Sequence, residues 1–133
     1  MAAPDLLRKS SLFAGFDDET LERLAAPFSE VEFPADQVLI EARTPGAGLF
    51  VICEGTVAVE AHGPQRELGP GDVVGEISLV EEDGLRRARV IAKTPVRCLA
   101  LDRAEFDQML AAEPGLAEAM RKLSRERLAE LDG

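Results

Sequence analysis

Two clusters of residues within a dozen positions of one another set the chemical question. Gly75 is followed directly by Glu76, and the run R-R-A-R-V-I-A-K begins at Arg86. If that run is a strand, its side chains alternate between two faces. Arg86, Ala88, Val90 and Ala92 then share one face, and Arg87, Arg89, Ile91 and Lys93 share the other. The small and apolar members make the first face the inward one, which aims Arg86 at the mouth of a core. Arg87 and Arg89 fall on the solvated face, where solubility or pairing with nearby acids accounts for them.

An arginine turned inward cannot shed its proton, so it needs an anion to offset its desolvation. That anion can be internal, such as Glu76, Glu81 or Glu82, or it can be a bound phosphate, which suits the flat guanidinium fork. Upstream, G-P-G-D-V-V-G-E-I-S-L-V supplies Gly75, where backbone can approach closely, and then a segment able to form one helical turn. Free N–H groups at such a turn attract anions. Glu76 would repel a phosphate there unless it faces something else, and ribose hydroxyls would resolve the conflict. Phosphate on one side and sugar on the other describe a nucleotide.

Those residues need a scaffold, and the pattern around them is mostly β. From Ser29 to Leu101 short β-prone runs alternate with turn residues: S-E-V-E-F, V-L-I-E, L-F-V-I-C, T-V-A-V-E-A, Q-R-E-L, R-A-R-V-I-A and V-R-C-L-A-L. Seven or eight such strands predict an antiparallel sandwich or barrel. One helix should precede it, capped by Asp17 or Asp18 and carrying Leu21, Leu24, Ala25 and Phe28 on one face. A second helix should follow Asp102, with Glu105 three residues on and Phe106, Met109 and Leu110 as its apolar face. Pro114 breaks or restarts the helix. Beyond it, Leu116, Met120, Leu123, Leu128 and Leu131 form a stripe opposite Glu118, Lys122, Arg125 and Glu126, which must bury against the β unit, a ligand or another chain.

Composition narrows the function classes. At 133 residues the chain reads as one domain, and 46% hydrophobic with 30% charged residues is ordinary for a folded protein. A net charge of -10 argues against general nucleic-acid binding, which needs many cations to displace condensed counterions. Neither a secretory leader nor a bilayer-length apolar run is visible, so a cytoplasmic protein without a membrane partner is expected. Cys53, Cys98 and His62 are too few for a four-ligand structural zinc site, so no metal and no cofactor is expected, and both cysteines read as reduced core residues.

The composite pattern Gly75-Glu76-Ile77-Ser78-Leu79, an acidic loop, then Arg86-Arg87-Ala88-Arg89-Val90-Ile91-Ala92 resembles the phosphate-binding cassette of cyclic nucleotide-binding domains. Bacterial catabolite activator proteins, protein kinase A regulatory subunits and cyclic-nucleotide-gated channels carry such domains. The likeness extends to L-F-V-I-C-E-G-T-V-A-V, L-G-P-G-D-V-V-G-E, the flanking helices and Pro114, and so covers nearly the whole chain.

The resemblance implies a mainly β fold with flanking helices, an antiparallel double-stranded β-helix, or jelly-roll-like β-roll, over residues 29–101. N-terminal helices would precede it and two C-terminal helices over 102–131 would follow, all within a single domain of residues 1–133. It also implies a 3′,5′-cyclic nucleotide as ligand, cyclic AMP first and cyclic GMP as the alternative. Glu76 would hold the ribose 2′-hydroxyl and Arg86 the cyclic phosphate. Backbone around Gly75, Ile77, Ser78, Arg87 and Ala88 would complete the cradle. Val59 and Leu68 would line the roll beside the nucleotide, and Arg127 and Leu131 would belong to a helical lid.

Departures qualify the carry-over. Arg87 stands where a small or hydroxyl-bearing residue is common, and a threonine there would have hinted at cyclic GMP. Leu131 stands where bacterial activators present a hydroxyl to adenine. No helix-turn-helix follows within the chain, so DNA contact is not expected of it. The leading expectation is a non-enzymatic receptor whose C-terminal helices move on binding and pass the signal to an unidentified effector. A homodimer seam along the last helix is one way to bury its stripe. The competing expectation is a β-roll kept as a scaffold or dimerisation module, with Arg86 paired internally. A nucleotide hydrolase is disfavoured, because no acid cluster surrounds His62 to hold a metal pair or poise a base.

Overall fold

The computed structural model describes residues 3–10, 12–40, 48–60, 65–75 and 89–132, the side chains of residues 3, 124 and 127–132 excepted. Its elements in chain order are α1 (Ala3–Arg8), α2 (Asp18–Ala25), β1 (Ser29–Phe33), β2 (Val38–Ile40), β3 (Gly48–Glu54) and β4 (Val57–Glu60). There follow β5 (Arg66–Leu68), β6 (Val73–Val74), β7 (Arg89–Ala92), β8 (Val96–Asp102), α3 (Arg103–Ala112) and α4 (Pro114–Asp132).

The strands form two antiparallel sheets of four, ordered β1-β8-β3-β6 and β2-β7-β4-β5. Neither order follows the sequence, because each sheet takes strands from distant parts of the chain. This is the wound arrangement expected of a β-roll, and the flanking helices stand where the sequence places them. Two elements go beyond the reading by pattern: α1, a six-residue helix, and β6, a two-residue strand set among turn residues.

Helix boundaries follow from caps. The Asp17 carboxylate accepts from the Thr20 N–H at 2.8 Å and opens α2. At α3 the Asp102 carboxylate does the same for the Glu105 N–H, also at 2.8 Å. Pro114 cannot continue α3, and it starts α4 at a first-turn position where a missing N–H costs nothing. Glu113, in the joint between them, reaches Arg23 of α2 at 3.2 Å and ties the two ends of the chain together.

Alternation along β3 explains the layering. Leu49 and Val51 face the helices and join Leu7, Phe13, Leu21, Phe106, Leu116 and Met120 in a buried cluster. Phe50 and Ile52 face the second sheet and join Ile40, Val57, Val74, Val90, Ala92, Val96 and Cys98 in another. Helices, sheet and sheet thus stack as three layers with two apolar seams.

Candidate functional site

Gly75 sits immediately after β6, whose Val74 and Val73 pair with Phe50 and Val51 of β3. The turn before it is locked in place. The Asp72 side chain accepts from the Gly69 N–H at 2.9 Å, Gly71 N–H donates to the Ile52 carbonyl at 2.8 Å, and Ile52 N–H donates to the Asp72 carbonyl at 2.9 Å. With its end held against β3, the chain leaves β6 through Gly75 at a φ of +95°, a backbone conformation that side chains disfavour. A Cβ at this position would lie 2.8 Å from the Gly48 carbonyl oxygen, 3.4 Å from Leu49 Cα and 3.5 Å from Ile40 Cδ1. Gly48 is tighter still, since its own Cβ would lie 2.2 Å from the Leu101 carbonyl oxygen. Two glycines therefore let three backbone segments meet where the predicted cassette begins.

The strands opposite carry the predicted lining. Val59 of β4 and Leu68 of β5 are half-buried and pack against the cluster between the sheets. Val59 stands directly across from Val90, and Val57 across from Leu68 and Ala92. Val90 and Ala92 are buried, whereas Arg89 lies on the outer face, opposite Glu60 and 3.8 Å from its carboxylate. The parity read from the sequence therefore holds over residues 89–92. Glu76, Ile77, Ser78, Arg86, Arg87 and Ala88 lie outside the described residues, as do Glu81, Glu82, Asp83 and His62. Backbone of α4 runs through Arg127 and Leu131, but their side chains also lie outside the description.

Register brings together residues that the strand pattern did not single out. Ile40, Val90, Val59 and Arg66 form one row across the β2-β7-β4-β5 sheet, each directly opposite the next. Ile40, at one end of the row, also touches the position of Gly75. Three-residue strands such as V-L-I and R-E-L are too short to announce their face, and only the pairing assigns it.

Both thiols are free. Burial pushes the Cys98 thiol up to about 12, with Cys53 adding to the effect. Burial also raises Cys53, against the opposing pull of Arg97. Neither has the depressed pKa of a nucleophile. No helix among the described residues is long and apolar enough to cross a membrane.

A family profile described as the cyclic nucleotide-binding domain matches residues 30–113, the stretch that runs from β1 to the joint before α4. The chain belongs to the cyclic nucleotide-binding domain family. Over 94 residues it is 38% identical to a cyclic nucleotide-gated potassium channel of Mesorhizobium japonicum, covering 71% of this chain and 26% of the channel. A similar channel of Rhizobium etli is likewise covered over 26% of its length, so the chain spans only that fraction of the curated relatives it matches. Among solved structures, the Thermus thermophilus catabolite activator protein superposes with a TM-score of 0.78 at 28% identity, over 92% of this chain and 60% of that one. The regulatory subunit of a cAMP-independent protein kinase A from Trypanosoma brucei gives 0.80 at 27%, over 91% and 44%.

Proposed function

We propose that this cyclic nucleotide-binding domain is a receptor that holds a 3′,5′-cyclic nucleotide in the roll and passes the event to its helices. The observation that carries the reading is Gly75. It is wedged at positive φ against Gly48 at the point where the chain enters the cassette, with Val59 and Leu68 on the facing sheet. In this reading Arg86 takes the cyclic phosphate and Glu76 the ribose 2′-hydroxyl, while backbone from Gly75 through Ser78 and at Arg87 and Ala88 closes the cradle. Arg127 and Leu131, on the last turns of α4, form the lid. In this reading the part played by this chain is binding alone, in the cytoplasm, with no metal and no catalytic step.

Output requires only that the nucleotide favour one arrangement of α3 and α4 over another. Leu116 and Met120 are completely buried within the chain and Leu123 packs partly against the same cluster, so this face of α4 is seated on the helix-facing core. Likeness to bacterial activators favours cyclic AMP. The Trypanosoma brucei relative is nevertheless described as cAMP-independent, so the base must be read from the residues that face it.

Calorimetric titration of the chain with cyclic AMP, cyclic GMP and linear AMP tests the reading. A cyclic nucleotide should bind and raise the melting temperature by mass action, linear AMP should do so far less, and Arg86→Ala should abolish the shift. If no cyclic nucleotide binds at millimolar concentration, the chain is a scaffold and not a receptor. Unchanged affinity in Arg86→Ala would move the phosphate contact to another cation.

A further inference from the structure

We propose that β1 is a docking edge for an extended basic segment of a partner protein, which adds a strand beside Ser29–Phe33 and sets cations at alternate positions. The proposal goes beyond the nucleotide site and names the kind of partner that this side of the roll fits.

β1 is the outermost strand of the β1-β8-β3-β6 sheet. All five of its residues pair with β8 on one side, and no strand among the described residues meets the other side. At such an edge every other residue turns its N–H and C=O outward, and an incoming strand takes up those groups. Ser29, Glu30 and Glu32 are exposed and Val31 and Phe33 are half-buried, so the edge is open to a partner.

Side chains decide which strand fits. Glu32 stands across from Arg97 of β8, and Arg97 stands across from Glu54 of β3. The three make one row of alternating charge. Arg97 gives its guanidinium to Glu54, which leaves Glu32 at the open end of the row. Glu30, two residues earlier on the same face, has no ion pair either among the described residues. A residue directly opposite Glu32 on an added strand shares that face, and a lysine or arginine there continues the alternation. A second cation two positions away meets Glu30. The residue between them falls on the other face, beside half-buried Val31, and is best apolar.

A groove lengthens the pattern. Where β1 ends, a cavity of about 460 Å³ opens among Phe33, Pro34 and Pro95, with Glu32 and Arg97 beside it. An apolar or aromatic side chain flanking the basic residue finds its place there. The edge therefore selects the order apolar, basic, apolar, basic, apolar.

A second copy of the chain does not answer to this order. β1 laid against another β1 would set Glu30 and Glu32 against glutamates, and like charges directly opposite are destabilising. The same carboxylates that bar self-pairing admit a basic strand. A net charge of -10 acts in the same sense at longer range, drawing a cationic segment toward the protein.

A labelled, end-capped peptide F-K-V-K-F, whose palindromic order suits either strand direction, tests this on the full chain. Fluorescence anisotropy should show saturable binding that weakens with added salt. K-K-V-F-F, of the same composition, should bind about threefold or more weakly, and charge-reversed F-E-V-E-F about tenfold or more weakly. Glu30→Lys and Glu32→Lys should each weaken F-K-V-K-F about threefold or more. The double variant should prefer F-E-V-E-F, a swap that loss of folding cannot imitate. Amide hydrogen exchange over residues 29–33 should slow in the complex, because an added strand engages the outward N–H groups. No saturable binding of F-K-V-K-F up to millimolar concentration overturns the proposal. So does equal binding of the scrambled peptide, or unchanged affinity in both lysine variants. Binding that leaves exchange over residues 29–33 unaltered also overturns it, since the peptide would then be held by surface charge and not as a strand.

Discussion

The β1-β8-β3-β6 sheet separates two interiors built from the same strands but to different ends. On its helix-facing side lie the largest fully buried side chains, Phe13, Phe106, Leu7, Leu21, Leu116 and Met120 among them. On its other side the cluster consists of Val, Ile, Ala and Cys, rimmed by half-buried Phe33, Leu39, Phe50, Val59 and Leu68. A seam closed by helices can be filled to crystal density with large residues. The seam toward the second sheet is filled only at its centre, and its rim keeps apolar surface within reach of a ligand. The helix-facing seam supplies stability, while the inter-sheet seam combines stability with the site proposed above.

The sharpest way to break that division is Phe106→Ala. Phe106 is completely buried in the helix-facing seam, and removing a core phenylalanine costs about 3–5 kcal/mol. Against a total of about 5–15 kcal/mol this is a large part of the stability of a domain. The urea midpoint should fall accordingly, while cyclic nucleotide affinity of the remaining folded protein, measured under stabilising conditions, should change far less than in a variant of the proposed site, since Phe106 reaches the ligand only through the packing of α3. A folded variant that no longer binds would show that the helix-facing seam is part of the site and that the two interiors are not separate.

Gly75→Ala should invert the pattern, with a smaller effect on stability and a large one on binding. Forcing a non-glycine residue to hold this φ costs on the order of 1–3 kcal/mol. The added methyl also approaches the Gly48 backbone oxygen to 2.8 Å, and backbone does not yield as a flexible side chain would. Moving the chain out of that contact displaces the start of the cassette, so affinity for a cyclic nucleotide should fall at least tenfold. Affinity equal to wild type would mean that Gly75 serves the packing of β6 alone.

The same division explains what could be read in advance. The helix-facing seam was legible because a helix of eight or more residues states its buried face through 3.6-residue spacing, as Leu21, Leu24 and Ala25 do in α2. Asp17 and Asp102 act as the caps that their sequence contexts predict. The inter-sheet seam was legible only in part. Alternation in the R-V-I-A run placed Val90 and Ala92 correctly, but β6 is two valines among turn residues, and pairing with β3 alone makes it a strand. Helix α1 escaped because six residues are too few to show a period. The inner face of Arg66 follows from the β4–β5 register, which is set by tertiary contacts and not by any pattern within R-E-L. Glu76 and Arg86 were assigned on resemblance and on strand parity beyond residue 89, so variants of those residues carry the test of their roles.

Each seam also holds one cysteine, which gives the smallest and most local test of the comparison. Cys53 is half-buried against the helix-facing cluster, and Cys98 is completely buried between the sheets. Only the thiolate alkylates, and burial holds the Cys98 proton up to a pKa of about 12, compared with 9.0 for an unperturbed thiol. In the folded protein at pH 8, iodoacetamide should therefore modify Cys53 before Cys98, as mass spectrometry of the partially labelled chain would show. Folding binds this proton more tightly than the unfolded chain does, so the neutral thiol contributes in full below pH 9.0. That contribution is lost as pH rises from there toward 12. Cys98→Ala should accordingly match wild type in its pH dependence up to about pH 9 and lose less stability above it, a difference that cancels the lysines common to both chains. Equal labelling of the two cysteines in the native state would show that the centre of the inter-sheet seam is as open as its rim, and the contrast between a filled centre and an accessible edge would have to be abandoned.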